Sequence, residues 1–148
     1  MSFYNLLILL HVLGATIWVG GHLILSLRVL PKALKNKDET LIKNFEQAFE
    51  PVGLPALLLQ ILTGLWIAFV QHELNWFSFS TPQNTIVTLK LILLLLTLVL
   101  AIHARLFLIP KLSGDNLGSM ALHIILITII ALLMMYLGVQ FRFGGINI

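Results

Sequence analysis

Histidines are the residues through which this sequence could do chemistry at membrane depth. His11 and His22 lie eleven positions apart in an apolar run, Leu6 to Leu30. At about 100° per residue a helix places both on one face, roughly 16 Å apart along its axis. His103 and His123 lie in two later apolar runs. Ionisable groups at membrane depth are costly and usually face a bundle interior, so the histidines predict a polar site inside a membrane protein.

The composition supports a membrane location. Of the 148 residues, 59% are hydrophobic and 10% are charged, and the mean hydropathy is +1.00. A soluble domain usually carries about 25% charged residues. The sequence contains no cysteine, which excludes disulfides, iron–sulfur clusters and thiolate zinc sites. The formal charge of +3 bears on topology, and no feature indicates a nucleic-acid partner. We predict a single membrane domain over residues 1–148.

Four apolar stretches must position the histidines. They cover about residues 4–30, 51–71, 85–108 and 118–141, and each is long enough to cross a hydrocarbon core about 30 Å thick. The predicted fold is all-α, an integral membrane four-helix bundle. We expect Pro31 to end or bend the first helix and Pro51 to begin the second. The connection between them is expected either to be solvated or to lie partly along the membrane surface, because five of its apolar residues have the spacing of one helix face. These residues are Leu34, Leu41, Ile42, Phe45 and Phe49. His72 is expected to be an exposed loop histidine.

The distribution of basic residues predicts the orientation. The first connection, with Arg28 before it, carries five lysines and arginines, and the third adds Arg105 and Lys111. The second connection and the N-terminus carry none. Because cytoplasmic loops are enriched in lysine and arginine, we expect both termini on the outer side, with lipid around the bundle.

Depth along each helix groups the side chains into two layers. His22, His103 and His123 each lie eighteen residues from the outer end of the predicted span, which corresponds to about 27 Å. His11 and Met134 each lie seven residues from it, or about 10 Å. We therefore expect an inner layer of three histidines and an outer layer of His11 and Met134.

Several kinds of site fit these layers. Three imidazoles could hold copper or zinc, and a thioether such as that of Met134 favours Cu(I). Alternatively, His22 with His103 or His123 could supply the axial ligands of haem b, which would make the protein an oxidoreductase. Arg105 could then pair with a haem propionate, a quinone-like substrate or a lipid phosphate. The histidines could also serve only helix packing, in a structural or assembly subunit without a cofactor.

Four segments resemble the CopD-like family of bacterial copper-resistance membrane proteins. They are HVLGATIWVGGHL, FEPVGLPALLLQILTGLW, LKLILLLLTLVLAIHARLFLIPKL and the ending VQFRFGG. The resemblance implies a helical bundle of the bacterial inner membrane that handles copper, with His11, His22, His103 and His123 as the matching candidate ligands.

The sequence departs from that family in size. Larger CopD-like proteins have about twice as many spans and often act with periplasmic copper carriers, whereas this chain is one four-helix unit. Transport through so small a bundle is easier to picture in a homodimer. A looser similarity to HemJ-like four-helix membrane proteins rests on His11, Trp18, Gly21 and Lys90, and it keeps the haem b alternative open.

Overall fold

The fold consists of long helices, and the two connections that the structure describes in full are short turns. The computed structural model describes residues 2–70 and 76–144, so His72 lies outside the described residues. Within them, four helices are long and apolar enough to cross a membrane, and there is no strand. The predicted all-α class with four membrane-spanning helices is therefore confirmed. The helices are α1 (Phe3–Asn36), α2 (Thr40–Val70), α3 (Pro82–Lys111) and α4 (Leu117–Arg142).

Side-chain caps and one left-handed residue set the helix ends. Ser2 Oγ accepts the backbone N–H of Asn5 at the start of α1, and Thr81 Oγ1 accepts that of Asn84 at the start of α3. Lys37 ends α1 with φ 52° and ψ 38°, and Asp38 then accepts the backbone N–H of Thr40. These contacts satisfy backbone groups that helix ends leave without partners, so α1 and α2 join through a very tight turn.

Two π-helical turns carry α1 and α3 past their prolines. One covers Leu25–Val29 and the other Ala104–Leu108. Pro31 and Pro110 follow two residues later in each case. Proline lacks an N–H, and a locally widened turn lets the helix adjust its hydrogen bonds around that defect. Both helices therefore continue to the end of the bundle.

The connection between the first two helices is much shorter than predicted, and the predicted helix boundaries at Pro31 and Pro51 are wrong. Residues 31–50 extend α1 to Asn36 and begin α2 at Thr40, so Pro51 and Pro55 lie inside α2. Burial explains this result, because Ile42 is fully buried in a core formed with residues of α1, α3 and α4. The predicted first, third and fourth spans are helical, and the helices in the structure extend beyond them by one to six residues at their ends.

The helices are arranged in the order α2, α1, α4, α3 around the bundle. The most extensive contact joins α1 to α2, followed by α3 with α4 and α1 with α4, whereas α2 and α3 barely meet. Gly114 in the α3–α4 turn packs against the carbonyl of Lys37, so the two described turns share one end, called the turn end here. The opposite end is called the terminal end, and there Gln83 donates to the carbonyl of Gly144 at 2.9 Å.

Candidate metal centre

Two histidines from neighbouring helices form the closest pair of candidate ligands. His103 Nδ1 on α3 lies 3.0 Å from His123 Nε2 on α4. The ring centroids are 5.0 Å apart and the planes are inclined by 25°. The pair connects the two helices near the turn end, and the structure thus brings together two of the three histidines expected in the inner layer.

The other nitrogen of His123 restricts how this pair shares its proton. His123 Nδ1 is buried and makes no hydrogen bond among the described residues. The carbonyl of Ser119, one turn earlier, is close enough to interact with the ring but does not meet hydrogen-bond geometry. A carbonyl oxygen can only accept a hydrogen bond, so its position favours a proton on His123 Nδ1, and we infer that His123 Nε2 accepts from the Nδ1–H of His103.

His22 is held in one tautomer between aromatic rings. Its Nδ1–H donates to the carbonyl of Trp18 at 2.9 Å, which leaves Nε2 with the lone pair. The Trp18 ring lies 4.4 Å away and the edge-on ring of Phe49 lies 6.2 Å away, measured between centroids. Gly21 and Gly53 leave the space that Phe49 occupies, because a Cβ at either position would overlap its ring. His22 therefore has the backbone anchor that fixes metal-ligating histidines.

A cavity of about 130 Å³ connects the inner residues. All four helices line it, and its volume is well above the roughly 15 Å³ that a single water requires. Because α2 and α3 barely meet, we infer that the cavity lies beside the open side of the bundle. The titratable side chains that line it are His22, Glu46, Glu50, Arg105 and His123.

The charged groups of the cavity favour a cation. Arg105 on α3 forms an ion pair with Glu50 on α2, across the open side of the bundle. Glu46 is half-buried, lies within electrostatic range of both, and has no ion-pair partner among the described residues. Two carboxylates and one guanidinium give the cavity a net negative charge when all three are ionised.

The ion pair between Arg105 and Glu50 is expected to contribute little to stability. The two side chains are 56% and 32% exposed, so solvent and interfacial water screen them. A double-mutant cycle with Glu50→Gln and Arg105→Gln should give a coupling of about 1 kcal/mol or less in the free energy of unfolding. Measured unfolding curves in detergent check this value. A coupling of about 3 kcal/mol or more would indicate a desolvated pair and contradict the prediction.

The outer layer is organised around His11 and α2. His11 Nδ1 lies 3.0 Å from the carbonyl of Gln60 and 3.1 Å from Thr63 Oγ1. Thr63 Oγ1 itself donates to a carbonyl one turn earlier, so it accepts from the imidazole. Gly64 allows this approach, since a Cβ there would lie 2.8 Å from His11 Cε1. No hydrogen bond joins His11 to Met134 in the described part of the chain, and the predicted outer pair stays a prediction.

The structure does not assemble three histidines into one metal site. Within residues 2–70 and 76–144, no group of three histidine, aspartate or glutamate side chains is close enough to hold one ion. His22 lines the same cavity as His123, whereas His103 contacts His123 from α3. Copper binding by all three residues therefore stays a prediction.

Haem b does not fit the inner residues as they are arranged. Metal–imidazole bonds are about 2.0 Å long, so axial ligands on opposite faces of an iron stand about 4 Å apart, with the macrocycle between them. The rings of His103 and His123 stack in direct contact instead. The cavity that His22 shares with His123 has about 130 Å³, whereas ligand pockets usually have about 300–1,000 Å³.

Sequence reasoning did not identify the carboxylates or the anchors of the site. Glu46 and Glu50 are one helical turn apart, and this spacing indicates a shared face once residues 40–50 are taken as helix. The helical spacing of Phe49 and the polarity of Thr63 within an apolar span were visible in the sequence, but the contacts of both residues depend on which helix packs beside them. Arg105 was singled out for a ligand, and in the structure it pairs with Glu50.

These features define the class of protein: a multi-pass helical membrane protein with a histidine-containing polar cavity among four spans. The chain belongs to the copper resistance protein D (CopD) family, whose model matches residues 43–141. That range includes the carboxylates, Arg105, His103 and His123, but not α1. The family links the chain to copper resistance. The similarity to HemJ-like proteins gains no support from the comparisons.

A relative of similar length covers almost the whole chain. An uncharacterized protein of Aquifex aeolicus (strain VF5) is 33% identical over 142 residues, which include 95% of this chain and 96% of the relative. The match therefore extends over α1 as well as the family range. No solved structure matches the chain.

Proposed function

We propose that this protein binds copper within the membrane and passes it across the bilayer, with His103 and His123 as its central ligands. The observation that carries the proposal is the 3.0 Å separation of His103 Nδ1 and His123 Nε2. Two nitrogens bound to one ion at tetrahedral angles, with bonds of about 2.0–2.1 Å, stand about 3.3 Å apart. If the two rings moved apart by a few tenths of an ångström and the proton between the two nitrogens were lost, an ion could bind between His103 Nδ1 and His123 Nε2.

The surroundings of the pair support a cation as cargo. Glu46, Glu50 and Arg105 line the cavity beside it, and they would give it a net negative charge when all three are ionised, which would favour entry of a positive ion. His22 offers its Nε2 on the same cavity. Imidazole suits copper, and transport requires sites that bind an ion without retaining it.

We further propose the outer route and the orientation. His11 keeps Nε2 available because Nδ1 is hydrogen-bonded to α2, and with Met134 it would form an outer relay for Cu(I). The basic residues at the turn end favour a cytoplasmic position for that end, with both termini on the periplasmic side of a bacterial inner membrane. A periplasmic copper carrier would then meet the terminal end.

The first experiment is a spectrum and a metal analysis of the same preparation. The protein, purified in detergent, is loaded with Cu(I) under anaerobic conditions, and its absorbance is recorded before and after reduction by dithionite. We expect copper in a fixed ratio to protein and no Soret band. A reduced α band typical of haem b would overturn copper as the primary cargo. Absence of both copper and haem would favour a structural or assembly subunit.

A further inference from the structure

His103 is exposed on the outside of the bundle although it belongs to a membrane-spanning helix. Its Nδ1 faces His123, and the ring also contacts Phe107, with 5.4 Å between centroids. Ionisable side chains in such helices almost always face protein or a water-filled cavity. The exposed side of His103 is therefore a place where a further protein surface can pack.

The pair also lacks ligands for an ion. His103 and His123 supply two nitrogen donors, whereas protein sites for zinc and copper generally use three or four ligands. In the described ranges, no third histidine or carboxylate joins the pair at metal-binding distance. A copper site built on this pair is thus incomplete in one chain.

An exposed apolar stripe runs along α3 through His103, and we call it the α3 stripe. Its members are four and three residues apart, the spacing by which parallel helices pack along one face. All four apolar members are between 44% and 55% exposed. The α3 stripe consists of Ile92, Leu96, Val99, His103 and Phe107.

We propose that a second copy of this chain packs on the α3 stripe and that the two copies share one copper ion through His103 and His123 of each. This inference rests on the copper binding proposed above. Two copies inserted with the same topology are related by a two-fold axis along the membrane normal, so a residue near the axis meets its own counterpart at the same height. The shared arrangement would cover His103 and supply four imidazoles.

Cross-linking of the metal-free protein in membranes tests the interface. The chain has no cysteine, so single substitutions report unambiguously. Val99→Cys is compared with Val52→Cys on α2. Both positions hold valine, Val99 is 55% exposed and Val52 is 53% exposed, and the two lie at nearly the same distance from the terminal end. With iodine as oxidant, we expect a disulfide-linked dimer for Val99→Cys only. Equal cross-linking of both variants, or none at Val99, would overturn the interface.

The copper ratio of the cysteine-free chain tests the sharing. In lipid nanodiscs, with the mass of the particle measured, we expect one copper per two chains, and His123→Ala should remove it. One copper per chain would overturn the shared site while leaving the proposed function intact. No copper at all would overturn both, so the two failures are distinguishable.

Discussion

Replacing His123 by alanine is expected to lower the affinity of the protein for Cu(I) by about 100-fold or more. Loss of a partner behind a metal ligand already costs about 10–100-fold in affinity, and loss of the ligand itself should cost at least as much. His123 Nε2 is 3.0 Å from His103 Nδ1, so its removal leaves one imidazole of the pair. Competition with a chromophoric Cu(I) chelator measures the change.

His103→Ala and His11→Ala complete this experiment. The first removes the other half of the pair, and we expect a loss of the same size. The second removes a histidine that is hydrogen-bonded to α2 in the outer layer, and the affinity of the inner site should be unchanged within error. Wild-type affinity in both inner variants, with their thermal stability retained, would mean that the pair is not the copper site.

The relative level of His103 and His123 along the bundle could be predicted from sequence because helix geometry is regular. A rise of about 1.5 Å per residue converts a count into a height once the membrane ends are known. Heights from two different helices agreed for His103 and His123, and the two rings are in contact in the structure. The same count placed His22 in that layer, and it lines the cavity with His123.

The arrangement around the bundle could not be predicted in the same way. Whether α3 packs beside α4 or α2 depends on the shape of whole helix surfaces, which periodicity does not record. The outer layer shows the consequence. His11 matches Met134 in height, but its ring is hydrogen-bonded at Gln60 and Thr63 of α2.

The first connection illustrates how tertiary packing overrides local signals. The charged residues and Pro31 indicated a connection, and both are compatible with helix near a membrane surface. Burial of Ile42 and of Ala33, both fully enclosed, stabilises helix on each side of the turn at Lys37. The helical spacing of residues 34–49 was interpreted as a feature of the connection and not as the start of the second span, so Glu46 and Glu50 were not recognised as parts of the site.

The close packing of α1 against α2 leads to the largest expected change in stability. In Gly14→Val, the new Cβ would lie 2.8 Å from the carbonyl oxygen of Ala56 and 3.3 Å from Gln60 Cβ. The carbonyl oxygen of Ala56 belongs to the backbone and cannot rotate away as a side chain can, so α1 and α2 must separate to make room for the valine. Overpacking in a core typically costs about 1–3 kcal/mol and occasionally more, and a backbone obstacle places this variant at or above the upper end.

Gly20→Val is the matched control, because beyond its own stretch of helix backbone no atom of the described residues lies within 4 Å of a Cβ at Gly20. Both variants make the same change within the same apolar helix, so intrinsic helix propensity and membrane insertion are affected alike. The difference between their free energies of unfolding, measured by denaturant titration in detergent, therefore isolates the contact between α1 and α2. We expect Gly14→Val to be less stable by about 3 kcal/mol, and equal stability would show that the helices do not pack this closely. The same contact brings His11 to its partners on α2, so Gly14→Val should also disturb the outer layer whereas Gly20→Val should not.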